Sequence, residues 1–199
     1  MTYTPDYPSW YYSYLDIPNL EQIQKELIYV SENCVVSHNG ELFYQYYRQN
    51  FIQYTPTLNE YLKQLGLYDK LHKSLFPMPN KEHTIHVDAY DKHIKYSLNI
   101  PLLDYSGTYT AWYDVPVIFA EQKKRPGQLS NDLLRVPAVA TDQNAEPTHL
   151  AEITGPMLIN TTIPHRRITL NKKRLMCTLK FWPELTLEEV NRLGVKLEK

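Results

Sequence analysis

The sequence predicts a mainly β fold supported by N-terminal helices, and three observations lead there. Helix-spaced apolar residues are confined to roughly the first eighty positions, strand-like alternation takes over from His83, and Gly, Pro and Asn punctuate the later segments at short intervals. A run of helices followed by a run of strands is satisfied by packed antiparallel sheets with helices covering one face. At 199 residues the chain is long enough for one domain with a full core, and no linker-like stretch divides it.

Taken in order, Tyr3 to Tyr14 concentrates six aromatics in a stretch interrupted by Pro5 and Pro8. Proline removes a backbone donor and disfavours helix, so this stretch reads as an extended arm over the body. Its amphipathic rings make it a candidate subunit contact, against the plainer role of packing under a loop. Leu20, Ile23, Leu27 and Ile28 then form an apolar stripe that predicts a helix to Glu32, with Asn19 placed to cap it. Leu42 to Tyr54 fits either element and is assigned to helix. Thr57 and Glu60 form a capping box ahead of Leu58, Tyr61, Leu62 and Leu65, which predicts another helix. Beyond His83, Ile94 to Leu102 alternates, with Ile94, Tyr96, Leu98 and Ile100 on one face and Lys95, Ser97 and Asn99 on the other. Thr108 to Tyr113, Pro156 to Thr161 and Arg174 to Phe181 are further strands. Between them, residues 120–147 read as an insertion long enough to act as a lid over a barrel mouth. Thr186 to Leu193 reads as a short capped helix.

Charge and cysteine usage narrow the classes of function. With 21 basic and 22 acidic residues the formal charge is −1, which draws the chain toward neither nucleic acid nor an anionic membrane. No run of eighteen apolar residues and no leader-like pattern is present, so the expectation is a cytoplasmic protein. Cys34 and Cys177 lie far apart without paired spacing, as packing thiols do.

The chemistry concentrates in Thr84 to Asp88, read with Ile163 to His165 and with Arg174 beyond it. Residues two apart on a strand point to one face, so His86 and Asp88 present an imidazole nitrogen and a carboxylate oxygen side by side. His165 is the candidate third ligand. Two imidazoles and one carboxylate leave positions of a metal open for a cosubstrate and dioxygen, whereas closed structural sites favour cysteine. A His-x-Asp triplet alone turns up by chance; its setting before an alternating strand, with a distal His and an Arg, is what gives it weight. A buried Arg174 also needs an anionic partner.

This combined pattern resembles the 2-oxoglutarate- and iron(II)-dependent dioxygenases, and among them the prolyl-hydroxylase-like branch. The resemblance spans roughly residues 83–182. It implies a double-stranded β-helix, a jelly-roll barrel of the cupin type. It further implies that His86, Asp88 and His165 bind Fe(II), and that 2-oxoglutarate is held at its far carboxylate by Arg174 with Thr178. Tyr96, Ser97 and Asn99 line the cofactor's surroundings, and which hydroxyl helps, that of Tyr96 or Ser97, stays open. The implied partners are 2-oxoglutarate, dioxygen and a peptidyl or small-molecule substrate that is hydroxylated. Two other readings remain: an inactive jelly-roll module for binding or assembly, and a cupin-like metalloenzyme that uses no 2-oxoglutarate.

Overall fold

A computed structural model describes residues 2–3, 10–34, 37–39, 43–77, 84–88, 96–103, 106–119, 138–169 and 175–195. The arm contributes two short strands, β1 (Thr2–Tyr3) and β2 (Tyr12–Tyr14). Helix α1 (Leu20–Asn33) follows because Ile23, Leu27 and Val30 recur on one face and are fully buried there. Asn19 does not cap it through its side chain; it takes a left-handed backbone with φ 56° that turns the chain into the helix.

The stretch assigned to helix from Leu42 to Tyr54 is mixed. Strands β3 (Ser37–Asn39) and β4 (Phe43–Tyr47) form a hairpin, and only Arg48–Phe51 is α-helical (α2), followed by a 3-10 turn at Ile52–Tyr54. Aromatic density favours the strand because Tyr46 packs edge-on to Phe76, with ring centroids 5.2 Å apart. Helix α3 (Pro56–Gln64) begins two residues earlier than the Thr57 box predicts, with Thr55 at the cap position and Pro at its first helical position. Its N-terminal donors are satisfied from a distance. Glu26 of α1 is 6% exposed and accepts from the backbone N–H of Thr57 at 3.1 Å and of Leu58 at 3.3 Å. Glu26→Ala is therefore expected to lower stability by about 1–2 kcal/mol, measured by denaturant unfolding.

Strand β5 (Leu71–Pro77) precedes the region where strands were expected to start, and β6 (His86–Val87), β7 (Tyr96–Pro101), β8 (Thr108–Trp112), β9 (Val117–Phe119) and β10 (Ala138–Ala140) follow. The chain continues through β11 (His149–Glu152), β12 (Met157–Asn160), β13 (His165–Thr169), β14 (Met176–Phe181) and helix α4 (Leu187–Arg192). Of the expected lid, only residues 138–147 fall within the described chain.

Among the described residues the strands make two seven-stranded sheets, ordered β1-β9-β10-β6-β13-β8-β11 and β2-β12-β7-β14-β5-β4-β3, with every pairing antiparallel. From β5 to β8, and again from β11 to β14, each strand lies in the opposite sheet from its predecessor. That alternation is the topology of a double-stranded β-helix. The arm is built into it, β1 extending one sheet beside β9 and β2 the other beside β12.

Burial follows the alternation along the strands. Leu98, Ile100, Cys177, Leu179 and Phe181 leave the second sheet on its outer face and meet Ile23, Leu27, Leu58 and Leu62 of the helices. Trp112, Ile153, Met157, Ile159 and Met176 fill one part of the space between the sheets. Cys34 and Cys177 are both unpaired thiols, and burial pushes Cys177 well above the ordinary thiol value. No described helix is long and apolar enough to cross a membrane.

Helix α4 is the short capped helix that the sequence predicts, and a reciprocal capping box starts it. Thr186 Oγ1 accepts from the Glu189 N–H at 3.2 Å, while Glu189 Oε2 accepts from the Thr186 N–H at 2.8 Å and from Lys70 Nζ at 2.5 Å. Burial alone would raise the Glu189 carboxyl, but the Lys70 and Thr186 hydrogen bonds outweigh it and hold it below its ordinary value. A depressed carboxyl stabilises the fold above its unfolded value, and that contribution disappears as pH falls through the folded one. The melting-temperature gap between wild type and Glu189→Gln should accordingly be open at neutral pH and close on acidification below about pH 4.

Candidate metal centre

Cross-strand register brings the two histidines together. His86 on β6 lies directly opposite His165 on β13, and side chains of opposed residues share a face. Their rings are 4.8 Å apart, centroid to centroid. Asp88 is two residues past His86 and its backbone N–H donates to the Thr161 carbonyl at 3.0 Å, which ties the triplet to the turn before β13. One ligand atom from each of His86, Asp88 and His165 lies within 4.8 Å of the others, a spacing that could hold a metal ion.

The imidazoles are oriented alike. Nδ1 of His86 meets the Thr84 carbonyl at 2.7 Å, and Nδ1 of His165 meets the Ile163 carbonyl at 2.8 Å. A carbonyl only accepts, so Nδ1 is the protonated nitrogen of both rings and Nε2 keeps its lone pair when the ring is neutral. This is the arrangement by which an outer hydrogen bond fixes the tautomer of a metal-binding histidine. The donor set of two such nitrogens and a carboxylate fits iron(II).

Opposite the triad, the second sheet presents a polar row. Ser97 and Asn99 on β7 face inward and pair in register with Lys180 and Thr178 on β14. Thr178 Oγ1 donates to Asn99 Oδ1 at 2.7 Å. Lys180 Nζ donates to Ser97 Oγ and to Asp88 Oδ2, while Asp88 Oδ1 lies 3.4 Å from His86 Nε2. Tyr96 is not brought to the centre. Its ring is on the helix side of the sheet, edge-on to Trp10 at 5.4 Å, because alternation that sends Ser97 inward sends Tyr96 outward. Arg174 lies outside the described residues, as do His83 and His93.

Lys180 was missed at the sequence level, although a signal existed. The alternation read from Arg174 through Met176 and Thr178 continues to position 180, where a lysine stands between Leu179 and Phe181. A lysine on the inward face of a closed barrel needs a counter-charge. Arg167 shares the inward face of β13 with His165 by the same period, so it differs in placement from its neighbour Arg166, whose guanidinium lies 5.3 Å over the Tyr113 ring and donates to the Gln143 carbonyl at 3.3 Å. His149 stacks on Tyr11 with centroids 4.7 Å apart.

Electrostatics divide the triad. Burial would raise Asp88, but the Lys180 ammonium, then the hydrogen bond from His86, hold its carboxyl well below the usual range. Burial lowers both imidazoles. For His86 the hydrogen bond and charge of Asp88 win, leaving it above its ordinary value; for His165 burial and the charge of His86 win and bring it to about 4. At neutral pH the buried ring of His165 is therefore uncharged and able to donate its lone pair.

No family model and no curated protein matches the chain. Among solved structures it is similar to the E. coli protein ycfD, with 17% identity and a TM-score of 0.40 over 78% of this chain, which spans only 38% of that one. It is similar to a Pseudomonas putida prolyl-4-hydroxylase, with 9% identity and a TM-score of 0.45 over 89% of this chain and 95% of that one. A third is the non-heme alpha-ketoglutarate-dependent carbocyclase SnoK of nogalamycin biosynthesis, with 13% identity and a TM-score of 0.42 over 94% and 89% of the respective chains. At these identities and scores the likeness carries no chemistry over to this chain.

Proposed function

We propose that this chain is an iron(II)- and 2-oxoglutarate-dependent oxygenase that hydroxylates a C–H bond of a peptidyl or small-molecule substrate. The observation that supports it most is the matched pair of imidazoles, both held at Nδ1 by a carbonyl two residues back and converging on Asp88. Bound there, iron(II) with 2-oxoglutarate supplies an oxidant for an unactivated C–H bond, with succinate and carbon dioxide as coproducts.

The chain's own residues do the rest. His86, Asp88 and His165 hold one side of the metal. Arg174, with Thr178, anchors the far carboxylate by a charge-assisted pair, and Ser97 and Asn99 give the cofactor hydrogen-bonding neighbours on the inner face of β7. Trp112, Met157, Ile159 and Met176 form a dry wall between the sheets that keeps water from the reacting centre.

The test is an anaerobic titration of the metal-free chain with iron(II) and then 2-oxoglutarate, following the weak visible band of the chelate. The band should form in the wild type and require several-fold more 2-oxoglutarate in Arg174→Ala, with iron affinity unchanged. Iron binding without a band would move the cupin-like reading ahead. Lys180, which already neutralises Asp88, favours a second reading, a jelly-roll module that binds no metal. Failure of any divalent metal to bind at His86, Asp88 and His165 would establish it over the oxygenase.

A further inference from the structure

Lys180 sits where a second cation is least expected. It is 6% exposed, between the sheets, and its ammonium is shared between Asp88 Oδ2 and Ser97 Oγ. Asp88 is the single carboxylate of the metal-ligand cluster. A divalent ion bound there would meet one negative charge already compensated by an ammonium in contact with it. Like charges in a buried site repel strongly, because water no longer screens them. Metal alone is thus opposed by Lys180, while a dianion entering with the metal would cancel the excess charge and offer the ammonium a second partner.

We infer that Lys180 makes metal loading conditional on an anionic cosubstrate, holding the Asp88 carboxylate against the bare cation and admitting cation and dicarboxylate together. This rests on the oxygenase reading of the same site. Lys180 acts here as a positioning residue, through Asp88. Linkage requires the effect to be reciprocal, so the dicarboxylate must also bind more tightly when metal is present.

The experiment measures Mn(II), a redox-stable stand-in for iron(II), by calorimetry on the metal-free full chain with and without 2-oxoglutarate. In the wild type, 2-oxoglutarate should tighten Mn(II) by at least tenfold, about 1.4 kcal/mol. In Lys180→Gln, which keeps a hydrogen-bond donor and removes the charge, Mn(II) alone should bind roughly tenfold more tightly than in the wild type. The added gain from 2-oxoglutarate should then shrink to a few-fold. Lys180→Met, which keeps side-chain length without polarity, should behave alike, and a cooperative thermal melt qualifies each variant. Unchanged or weaker Mn(II) affinity in both variants would overturn the inference while leaving the metal centre intact. If neither wild type nor variants bind Mn(II) even with 2-oxoglutarate, the metal reading falls and the role of Lys180 falls with it.

Discussion

His165→Ala is expected to lower iron(II) affinity by on the order of a hundredfold or more. Loss of an outer partner of a metal-binding histidine already costs tenfold to a hundredfold, and this substitution removes the ligand itself. The fold should survive, with a cost on the order of 1 kcal/mol typical of point changes. His165 is uncharged at neutral pH, so its removal strands no buried charge. His86→Ala and Asp88→Ala should lose iron as well. Asp88→Ala should in addition destabilise the chain, because it strands the buried Lys180 ammonium without its counter-charge. Calorimetric iron titration beside thermal melts checks both effects. Normal iron affinity in His165→Ala would remove the site assignment.

Trp112→Ala is expected to cost about 3–5 kcal/mol, the range for deleting a large buried aromatic ring. Trp112 has no exposed surface and its indole N–H reaches the Asn160 carbonyl at 3.4 Å. Its ring stacks on Tyr12 at 5.4 Å and leans on Tyr11 at 5.6 Å, so it joins the first sheet to the N-terminal arm. It is also the cross-strand neighbour of both His165 and His149. For a chain of this size the melting temperature should fall by on the order of 10 °C. Part of the metal affinity should go with it, since the cavity opens beside a ligand strand. Trp112→Phe, which retains most of the packing, should recover most of both losses in the same melts and titrations.

Features governed by local period were legible. The faces of Tyr96 to Pro101 and the helix of Ile23 and Leu27 both follow from which positions repeat at two or at three to four residues. Features governed by long-range partners were not. Leu42 to Tyr54 carries apolar residues compatible with either period, and the pairing of Tyr46 with Ser74 across β4 and β5 selects the strand. The N-terminus of α3 is capped by Glu26, thirty-one residues before Thr57, so no local motif around Thr57 announces it.

The candidate centre divides along the same line. The sequence by itself determined that His86 and Asp88 share a strand face and that Ser97, Asn99 and Thr178 point away from the helix-side core, because side-chain direction along a strand depends only on spacing. It also determined that strands dominate the chain beyond His83, and hence a mainly β architecture. Only the tertiary structure decided that His86 stands opposite His165, that Asp88 shares its charge with Lys180, and that Tyr96 packs on Trp10 outside the barrel. Those outcomes depend on sheet order and register between strands nearly eighty or more residues apart, and register is set by the packing of whole faces.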